Sequence, residues 1–529
     1  PPGRRAGPGP VLCRPIAGAA GPVTAAGSAA HSRALSSSRG VVRRALSGRR
    51  RPPIPLLMTA TDSPAPTPPQ NLWQALRDAL RGTGADYTKI PLKRAVFLLA
   101  VPMVLELVLE STFAVVDIWF VARLGPSAVA TVGLTETFLF LLYAIGIGLA
   151  MAVTALVARR TGEGDRKGAA ISAVQALWLA VMVSLPFAVV GIVWARELLA
   201  LMGADDWTLT HGVRYMQWML GSNVVILLLF VANAVFRGAG DAAVAMRVLW
   251  LANGLNIVLD PILIFGWGPI PAMGVEGAAI ATVIGRSAGV ALQAWILWRG
   301  SQHLRITAVS LGLQAATFWH LLRTSLGGIG QMIVAMTAWI FLMRILAEMG
   351  SAAVAAATIA IRIMMFTLMP AWGLSNAAAT LVGQNLGAGE PARAEAAVWR
   401  IGWMTMAFTV GVSVLFFLFP RELIGLFTAE PAVVDIGAQW LRILSYSYFV
   451  YGWWMVAVQA FNGAGDTVTP TRINLVFFWL IQIPLAWVLA LQLDLGATGV
   501  FWAVFVSETS VGVFTLWLFS RGGWKQARV

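Results

Sequence analysis

Three acidic side chains recur within one strongly apolar stretch of this sequence. Glu106, Glu110 and Asp117 lie in the segment VPMVLELVLESTFAVVDIWFV, which begins at residue 101. At about 100° of rotation per residue in an α-helix, their carboxyl groups fall within roughly 40° of one another. Because an ionisable group in lipid is costly, we predict that this face lines a polar cavity, where it binds a cation or exchanges protons.

A second polar face follows in the segment LANGLNIVLDPILIFG. Asn253, Asn256 and Asp260 are spaced i, i+3 and i+7, so they share one side of a helix. Their oxygens are hard ligands suited to Na⁺ or a proton, and Pro261 can free neighbouring backbone carbonyls. Hydrogen bonding between helices is the structural alternative, and it suits the asparagines better than the costlier carboxylate.

Membrane helices are the elements that must position these groups. Of the 529 residues, 58% are hydrophobic and only 12% are charged, whereas a soluble domain carries about twice that share of charge. Many apolar runs exceed the roughly 20 residues that cross a bilayer. We predict an all-α polytopic membrane protein with twelve transmembrane helices, near residues 94–122, 128–158, 169–194, 209–236, 243–267, 276–298, 318–347, 352–382, 395–419, 433–461, 468–491 and 497–520.

The chain also repeats itself. FRGAGD at 236–241 returns as FNGAGD at 461–466, and two other loops return at the same offset. A constant register of this kind indicates a duplicated unit. We predict two homologous six-helix bundles, an N-lobe over 91–310 and a C-lobe over 311–529, as parallel repeats related by a pseudo-two-fold axis along the membrane normal.

Loop charge predicts the orientation in the membrane. After residue 123, the loops and tail on one side carry 15 Arg or Lys, against four on the other side. Positive loops stay in the cytoplasm, so we predict a multi-pass protein of the cell membrane with both termini and both GAGD loops cytoplasmic. Asp241 and Asp466 are predicted to cap the helices that follow these loops.

The N-terminal region has a different composition. Residues 1–57 contain ten Arg, no Lys and no acidic residue. We predict that residues 1–90 form a disordered basic extension, without the interleaved aromatic residues of nucleic-acid binding. Two explanations of residues 1–57 stay open: a gene model extended beyond a true start at Met58, or an organellar transit peptide.

Residues typical of enzymes and metal sites are sparse. Cys13 is the only cysteine, and the four histidines lack metal-ligand spacing. GAGDAA at 238–243 resembles a dinucleotide-binding motif, but it follows a membrane span and its copy reads GAGDTV. The loops are too short for a catalytic domain. We therefore predict no enzymatic activity and no cofactor.

The second half of the chain carries different charges. Near the end of each half the offset becomes 222, since GVEG at 274–277 matches GATG at 496–499. The clearest membrane-embedded acid of the second half is Glu508, which aligns at this offset with Arg286 of the first half. Arg362 and Arg442 also lie in apolar runs. We therefore predict that ion coupling belongs to the first half. Glu508 is either functional or paired with an arginine, and the roles of the three arginines stay open.

Several of these stretches resemble a known family. VDIWFVARLGPSAVATVG at 116–133, the paired loops LVARRTGEGD and LVGQNLGAGE, the FRGAGD and FNGAGD loops, and NIVLDPILIFG at 256–266 resemble the multidrug and toxic compound extrusion (MATE) family, in particular its DinF-like prokaryotic branch. The resemblance implies a secondary antiporter whose two lobes rock around a central cavity. H⁺ or Na⁺ enters while amphipathic, cationic organic compounds leave.

The resemblance also implies roles for individual residues. Asp117, Asn256, Asp260 and Thr282 match the N-lobe cation site of that branch, for H⁺ or Na⁺, and Pro102 matches the proline that bends the first helix. No other metal is implied, and we expect a monomer.

Four further residues are candidates for the substrate cavity: Glu106, Glu110, Glu136 and Gln331. Gln331 replaces an acid that other branches carry in the seventh helix, so no C-lobe cation site is expected. The alternative function is a flippase of lipid-linked sugars, whose pyrophosphate would need a cationic cavity. A membrane-embedded glycosyltransferase or ligase would need a large extramembrane loop, which the sequence lacks.

Overall fold

The computed structural model describes residues 71–301, 303–306 and 311–527. The tail over residues 1–57, with the question of its origin, lies outside these residues.

A helix over Leu72–Arg81 corrects one part of the predicted disordered extension. Ala79 of this helix is buried, and Asp78 accepts a hydrogen bond from Arg94 at 3.2 Å. Arg94 belongs to the first membrane helix. The helix is thus held by a tertiary contact, which composition alone cannot reveal.

The first six predicted spans are helices, and their bounds agree with the prediction to within a few residues. They are α1 Leu92–Ala122, α2 Pro126–Gly162, α3 Arg166–Val193, α4 Thr208–Ala239, α5 Ala242–Phe265 and α6 Val275–Arg299.

The second six follow in the same order. They are α7 Ala315–Ala347, α8 Ser351–Gly387, α9 Pro391–Leu418, α10 in two parts (Pro431–Ser445 and Tyr448–Ala464), α11 Val468–Gln492 and α12 Gly496–Ser520. Within the described residues, eleven helices are long and apolar enough to span a membrane. The broken α10 makes the twelfth, and the predicted all-α architecture of two six-helix lobes is confirmed.

The break in α10 was not predicted, and serine hydroxyls stabilise it. Ser447 donates to the carbonyl of Leu444 at 3.0 Å, and Ser413 of α9 donates to the carbonyl of Ser445 at 2.5 Å. The carbonyl of Leu444 also accepts from the backbone N–H of Ser447 at 2.9 Å, so the hydroxyl is a second donor there. Ser413 supplies a side-chain donor to the carbonyl of Ser445 at the interruption. In the N-lobe, α4 is interrupted at Ser222, the residue that aligns with Ser447.

The two GAGD loops confirm the internal repeat at the level of the backbone. Gly240 and Gly465 both adopt left-handed conformations, with φ of 94° and 91°. Asp466 accepts from the N–H of Thr469 at 3.0 Å, so it caps the start of α11 as predicted. Asp241 forms no such bond, because its carboxylate lies 2.9 Å from Nδ1 of His303, between α6 and α7.

The lobes meet where helices cross at glycine. Gly148 of α2 lies directly against Gly328 and Ile329 of α7, with no room for a side chain. Gly373 of α8 lies against α1, where an added Cβ would be 2.7 Å from the Cα of Val104. Small residues allow membrane helices to approach at backbone distance. The crossings lie in the half of each helix nearer the GAGD loops, and we call that end of the molecule the basic face.

Beyond these crossings the lobes diverge. Toward the face opposite the GAGD loops, Glu136 and Phe140 of α2 are exposed, and so are Arg362 and Phe366 of α8. The other ends of the same two helices are almost wholly buried. The space between the lobes, called here the cleft, is therefore open at the face opposite the basic face.

Candidate functional site

The polar faces of α1, α5 and α6 meet inside the N-lobe. Asn253 donates a hydrogen bond to Glu110 at 2.9 Å, and Asn256 donates to the Thr282 hydroxyl at 2.9 Å. Gly285 of α6 packs on the backbone of α5, so the two helices cross closely at this level. The spacing within each helix thus predicted which side chains share a face, and the structure brings these faces together.

Asp260 is the most isolated acid of this group. It is completely buried, and neither carboxylate oxygen has a hydrogen-bond partner. Oδ1 of Asp117 is likewise buried and unpartnered, and the two aspartates repel each other electrostatically. A buried acid without donors and a half-buried acid beside it form a region of negative potential, which a proton or a cation would neutralise.

Arg286 also belongs to this site, although the sequence did not predict it there. Its guanidinium lies beside the Tyr143 hydroxyl and interacts electrostatically with Glu110 and Asp117. Its position four residues after Thr282 puts both side chains on one face of α6, and this spacing was the available signal. The site therefore already contains one positive charge.

Glu106 forms an ion pair that does not involve the two aspartates. Its Oε1 lies 2.7 Å from the guanidinium of Arg237, at the end of α4, and both side chains are largely buried. The equivalent positions in the C-lobe are Gln331 and Asn462, so an ion pair in one lobe corresponds to two amides in the other. Glu106 thus joins α1 to the GAGD loop of its own lobe.

The remaining candidates lie apart from the aspartates. Glu136 is exposed in the cleft, and Arg362 of α8 attracts it electrostatically. Gln331 is buried in α7 with its Oε1 unpartnered. Pro102 lies within α1, one residue before Met103, which contacts Gly373 at the crossing between the lobes.

No arginine of the described chain pairs with Glu508, so that alternative was wrong. Arg442 is exposed, and Glu508 is buried with the Ser447 hydroxyl 3.4 Å away. In the part of the chain that the structure describes, no three His, Cys, Asp or Glu side chains converge as metal ligands do. Any Na⁺ site would therefore need amide, hydroxyl or backbone oxygens beside the carboxylates.

Several polar contacts cross between the lobes at the basic face. Thr380 and Gln384 of α8 donate to the carbonyls of Arg237 and Gly238, at 3.2 and 2.9 Å. Tyr87, ahead of α1, donates to the carbonyl of Gly240 at 3.1 Å. Burial, and then the carboxylate of Asp241, raise the pKa of the Tyr87 hydroxyl, so it remains a donor at neutral pH.

Comparison with known proteins finds a family model that matches this chain and relatives that match it over nearly their whole length. Residues 102–262 and 328–488 each match the MatE family model. The probable multidrug resistance protein NorM of Thermotoga maritima is 26% identical over 439 residues, which cover 83% of this chain and 94% of that protein. The FAD transporter of Shewanella oneidensis is 26% identical over 432 residues, which cover 82% of this chain and 95% of that protein.

Solved structures show the same fold. An outward-facing multidrug resistance MATE transporter of the MOP superfamily superimposes with a TM-score of 0.77 at 25% identity, over 84% of this chain and 99% of that one. A MOP superfamily transporter from Pyrococcus furiosus, described as having a binding pocket of reverse polarity, gives a TM-score of 0.76 at 25% identity, over 85% and 98%.

Proposed function

This chain belongs to the MatE family of membrane transporters, and from that premise we propose that it is a secondary active antiporter, which exchanges H⁺ or Na⁺ for amphipathic, cationic organic compounds. The observation that supports this most directly is Asp260, an entirely buried carboxylate without any hydrogen-bond donor. A membrane protein retains such a costly group when a mobile positive charge compensates it for part of a working cycle.

The proposed exchange relies on competition for negative charge. Asp117, Asn256, Asp260 and Thr282 would hold the coupling ion, while Glu110 and Glu136 would attract the substrate cation toward the same lobe. Because Arg286 already neutralises part of this charge, the site holds too little negative potential to retain two more cations at once. Binding of one would then favour release of the other, which is the requirement for exchange.

The proposed conformational change acts on the crossings between the lobes. The cleft is open on one side, so access from the basic face requires the contacts at Gly148 and Gly373 to separate. Pro102 lies beside the second crossing, and a mid-helix proline lacks the N–H that would keep the helix straight. A bend of α1 at Pro102 would thus connect ion binding at Asp117 to the contact between lobes.

We also propose how the protein is oriented in the membrane and that it works as a monomer. We place the basic face and both termini in the cytoplasm of a cell-membrane protein, because loop charge favours that side. In this orientation the cleft opens outward. We further propose that the chain works as a monomer, since the candidate ion site lies inside one lobe, and that it catalyses no chemical reaction.

A flippase of lipid-linked sugars remains the second candidate. Arg362 supports it, because this cation is exposed in the cleft where an anionic headgroup could reach it. Glu136 and the unpartnered aspartates favour a cationic substrate instead.

Transport in proteoliposomes tests the proposal. Purified protein would be assayed for ethidium movement under an imposed pH gradient or an imposed Na⁺ gradient, with Asp260→Asn beside the wild type. We expect transport under one gradient, and a fall to the protein-free background in the variant. Asp206→Asn, at an exposed position just ahead of α4, is the matched control and should transport normally.

Two results would contradict the proposal. Gradient-driven transport that survives Asp260→Asn unchanged would place coupling elsewhere, with Asp117 the next residue to test. Wild-type protein that moves no ethidium under either gradient, but does move lipid-linked sugar, would establish the flippase.

A further inference from the structure

The C-lobe contains a buried acid that the proposed antiport does not use. Glu508 lies on α12, is only 5% exposed, and faces α10 at the point where that helix is interrupted. Its nearest polar neighbour is the hydroxyl of Ser447, with 3.4 Å between Oγ and Oε2.

The hydroxyl of Ser447 lies within hydrogen-bonding reach of two acceptors. It can donate to the carbonyl of Leu444, at 3.0 Å, or to the carboxylate of Glu508, at 3.4 Å, and a serine has one proton for both. The contact to Glu508 is longer than the roughly 2.5–3.0 Å of an O–H···O bond, so this donor stabilises an ionised Glu508 only weakly. A proton or a cation at the carboxylate would supply the compensation that this bond does not.

No fixed cation supplies that charge. Among the described residues, no Arg, Lys or His forms an ion pair with Glu508. Arg442 is exposed, whereas Ser447, which contacts Glu508, is buried. The titratable groups beside Glu508 are the hydroxyls of Tyr448 and Tyr451. The eleventh helix packs against α12 through residues 475–492, which include no charged side chain. An ionised Glu508 would thus be both buried and uncompensated, which is strongly unfavourable.

We propose that Glu508 and Ser447 form a second site for a monovalent cation, in the C-lobe, which holds one H⁺ or one Na⁺. Carboxylate and hydroxyl oxygens suit either ion, with the hydroxyls of Tyr448 and Tyr451 as further acceptors. The sequence predicted no C-lobe site, because Gln331 replaces the acid that other branches carry in the seventh helix. The site goes beyond the proposed N-lobe coupling and does not depend on it.

The internal repeat places an acid in the C-lobe where the N-lobe has a fixed cation. Ser447 aligns with Ser222, and Glu508 aligns with Arg286. The N-lobe position thus carries a covalently attached cation, whereas the C-lobe position carries an anion. A mobile cation at Glu508 gives the C-lobe the local positive charge that Arg286 gives the N-lobe.

Infrared difference spectroscopy on the purified full-length protein tests this site without requiring transport. Spectra would be recorded across a pH titration and a Na⁺ titration, for wild type and for the isosteric Glu508→Gln. If the ion is H⁺, we expect a carbonyl band of a protonated carboxylic acid that Glu508→Gln lacks. If it is Na⁺, we expect a Na⁺-dependent shift of a carboxylate band that this variant lacks.

Two further variants separate the possible outcomes. Asp260→Asn removes the N-lobe aspartate and should leave the Glu508 signal in place, so failure of the N-lobe proposal and failure of this one are distinguishable. Ser447→Ala keeps the acid and should shift its band. Spectra and Na⁺ responses of Glu508→Gln that match those of the wild type would overturn the proposal.

Discussion

At the scale of single residues, the acids of the N-lobe divide into partnered and unpartnered groups. Glu106 and Glu110 each contact a donor, whereas Asp260 contacts none. An ionised carboxylate in that setting is unfavourable until a proton or a cation compensates it. This difference supports the ion-binding role that we propose for Asp260, and it favours a role for Glu106 in holding helices together.

The ion pair between Glu106 and Arg237 gives a prediction about stability. Glu106→Gln would leave a buried guanidinium without its counter-charge, so we expect the free energy of unfolding to fall by about 3–5 kcal/mol. Adding Arg237→Asn should recover most of the lost free energy of unfolding, because the double variant reproduces the pair Gln331 and Asn462 of the C-lobe. Denaturant unfolding in detergent measures both changes.

Glu163→Gln is the control for this comparison. Glu163 pairs with Arg160 at the surface, where an ion pair contributes about 0–1 kcal/mol. A double variant no more stable than Glu106→Gln would show that the two lobes do not tolerate exchange of these pairs.

Residue spacing within a helix predicted which acids share a face, but not which arginines lie beside them. The shared faces of α1 and α5 follow from the helical period, which is a local property. Arg237 at Glu106 and Arg286 near Asp117 lie more than a hundred residues away in the chain. Such pairs depend on how helices pack, and no local pattern encodes them.

At the scale of helices, the glycine crossings between the lobes support a second prediction. Gly373→Ala would place a methyl group 2.7 Å from the backbone of α1, so the crossing can no longer close. We expect the population with an open cleft to decrease. A cysteine introduced at Thr137, in the exposed part of α2, should then react several-fold more slowly with a water-soluble maleimide, in a Cys13→Ser background.

Gly411→Ala is the matched control, since no atom lies within 4 Å of its added Cβ. It should leave the labelling rate of the cysteine at position 137 unchanged. An equal rate in Gly373→Ala would mean that this crossing does not limit the opening of the cleft.

The sequence predicted whole helices better than their interruptions. Long apolar runs determine where a helix crosses the bilayer, and all twelve were found in order. The break in α10 is accompanied instead by hydroxyls of Ser413 and Ser447 that donate to the carbonyls of Ser445 and Leu444. Serine is common in continuous helices too, so its presence alone did not predict a break.

At the scale of the whole molecule, the contacts across the basic face keep the cleft open on the other side. Gln384 donates to Gly238, and a neutral hydrogen bond of this kind is worth about 1 kcal/mol. We expect Gln384→Ala to raise the proportion of molecules with a separated basic face by about five-fold. Distances between spin labels at Glu163 and Glu390, in exposed loops of the two lobes, would measure that proportion.

Gln217→Ala removes a comparable hydrogen bond at an exposed site, from its amide to the carbonyl of Ile192, and serves as the control. It should leave the distance distribution as in the wild type. An identical distribution for Gln384→Ala would show that the glycine crossings alone hold the lobes in this arrangement.

The uncompensated burial of Glu508 in a lobe separate from Asp260 also has an electrical consequence. A cycle that carries one inward cation on each acid, in exchange for one singly charged compound, moves one net charge across the bilayer. That charge gains about 2.3 kcal/mol for each 100 mV of membrane potential. The voltage of the cell, and not only its ion gradients, would then set the concentration against which the protein can export.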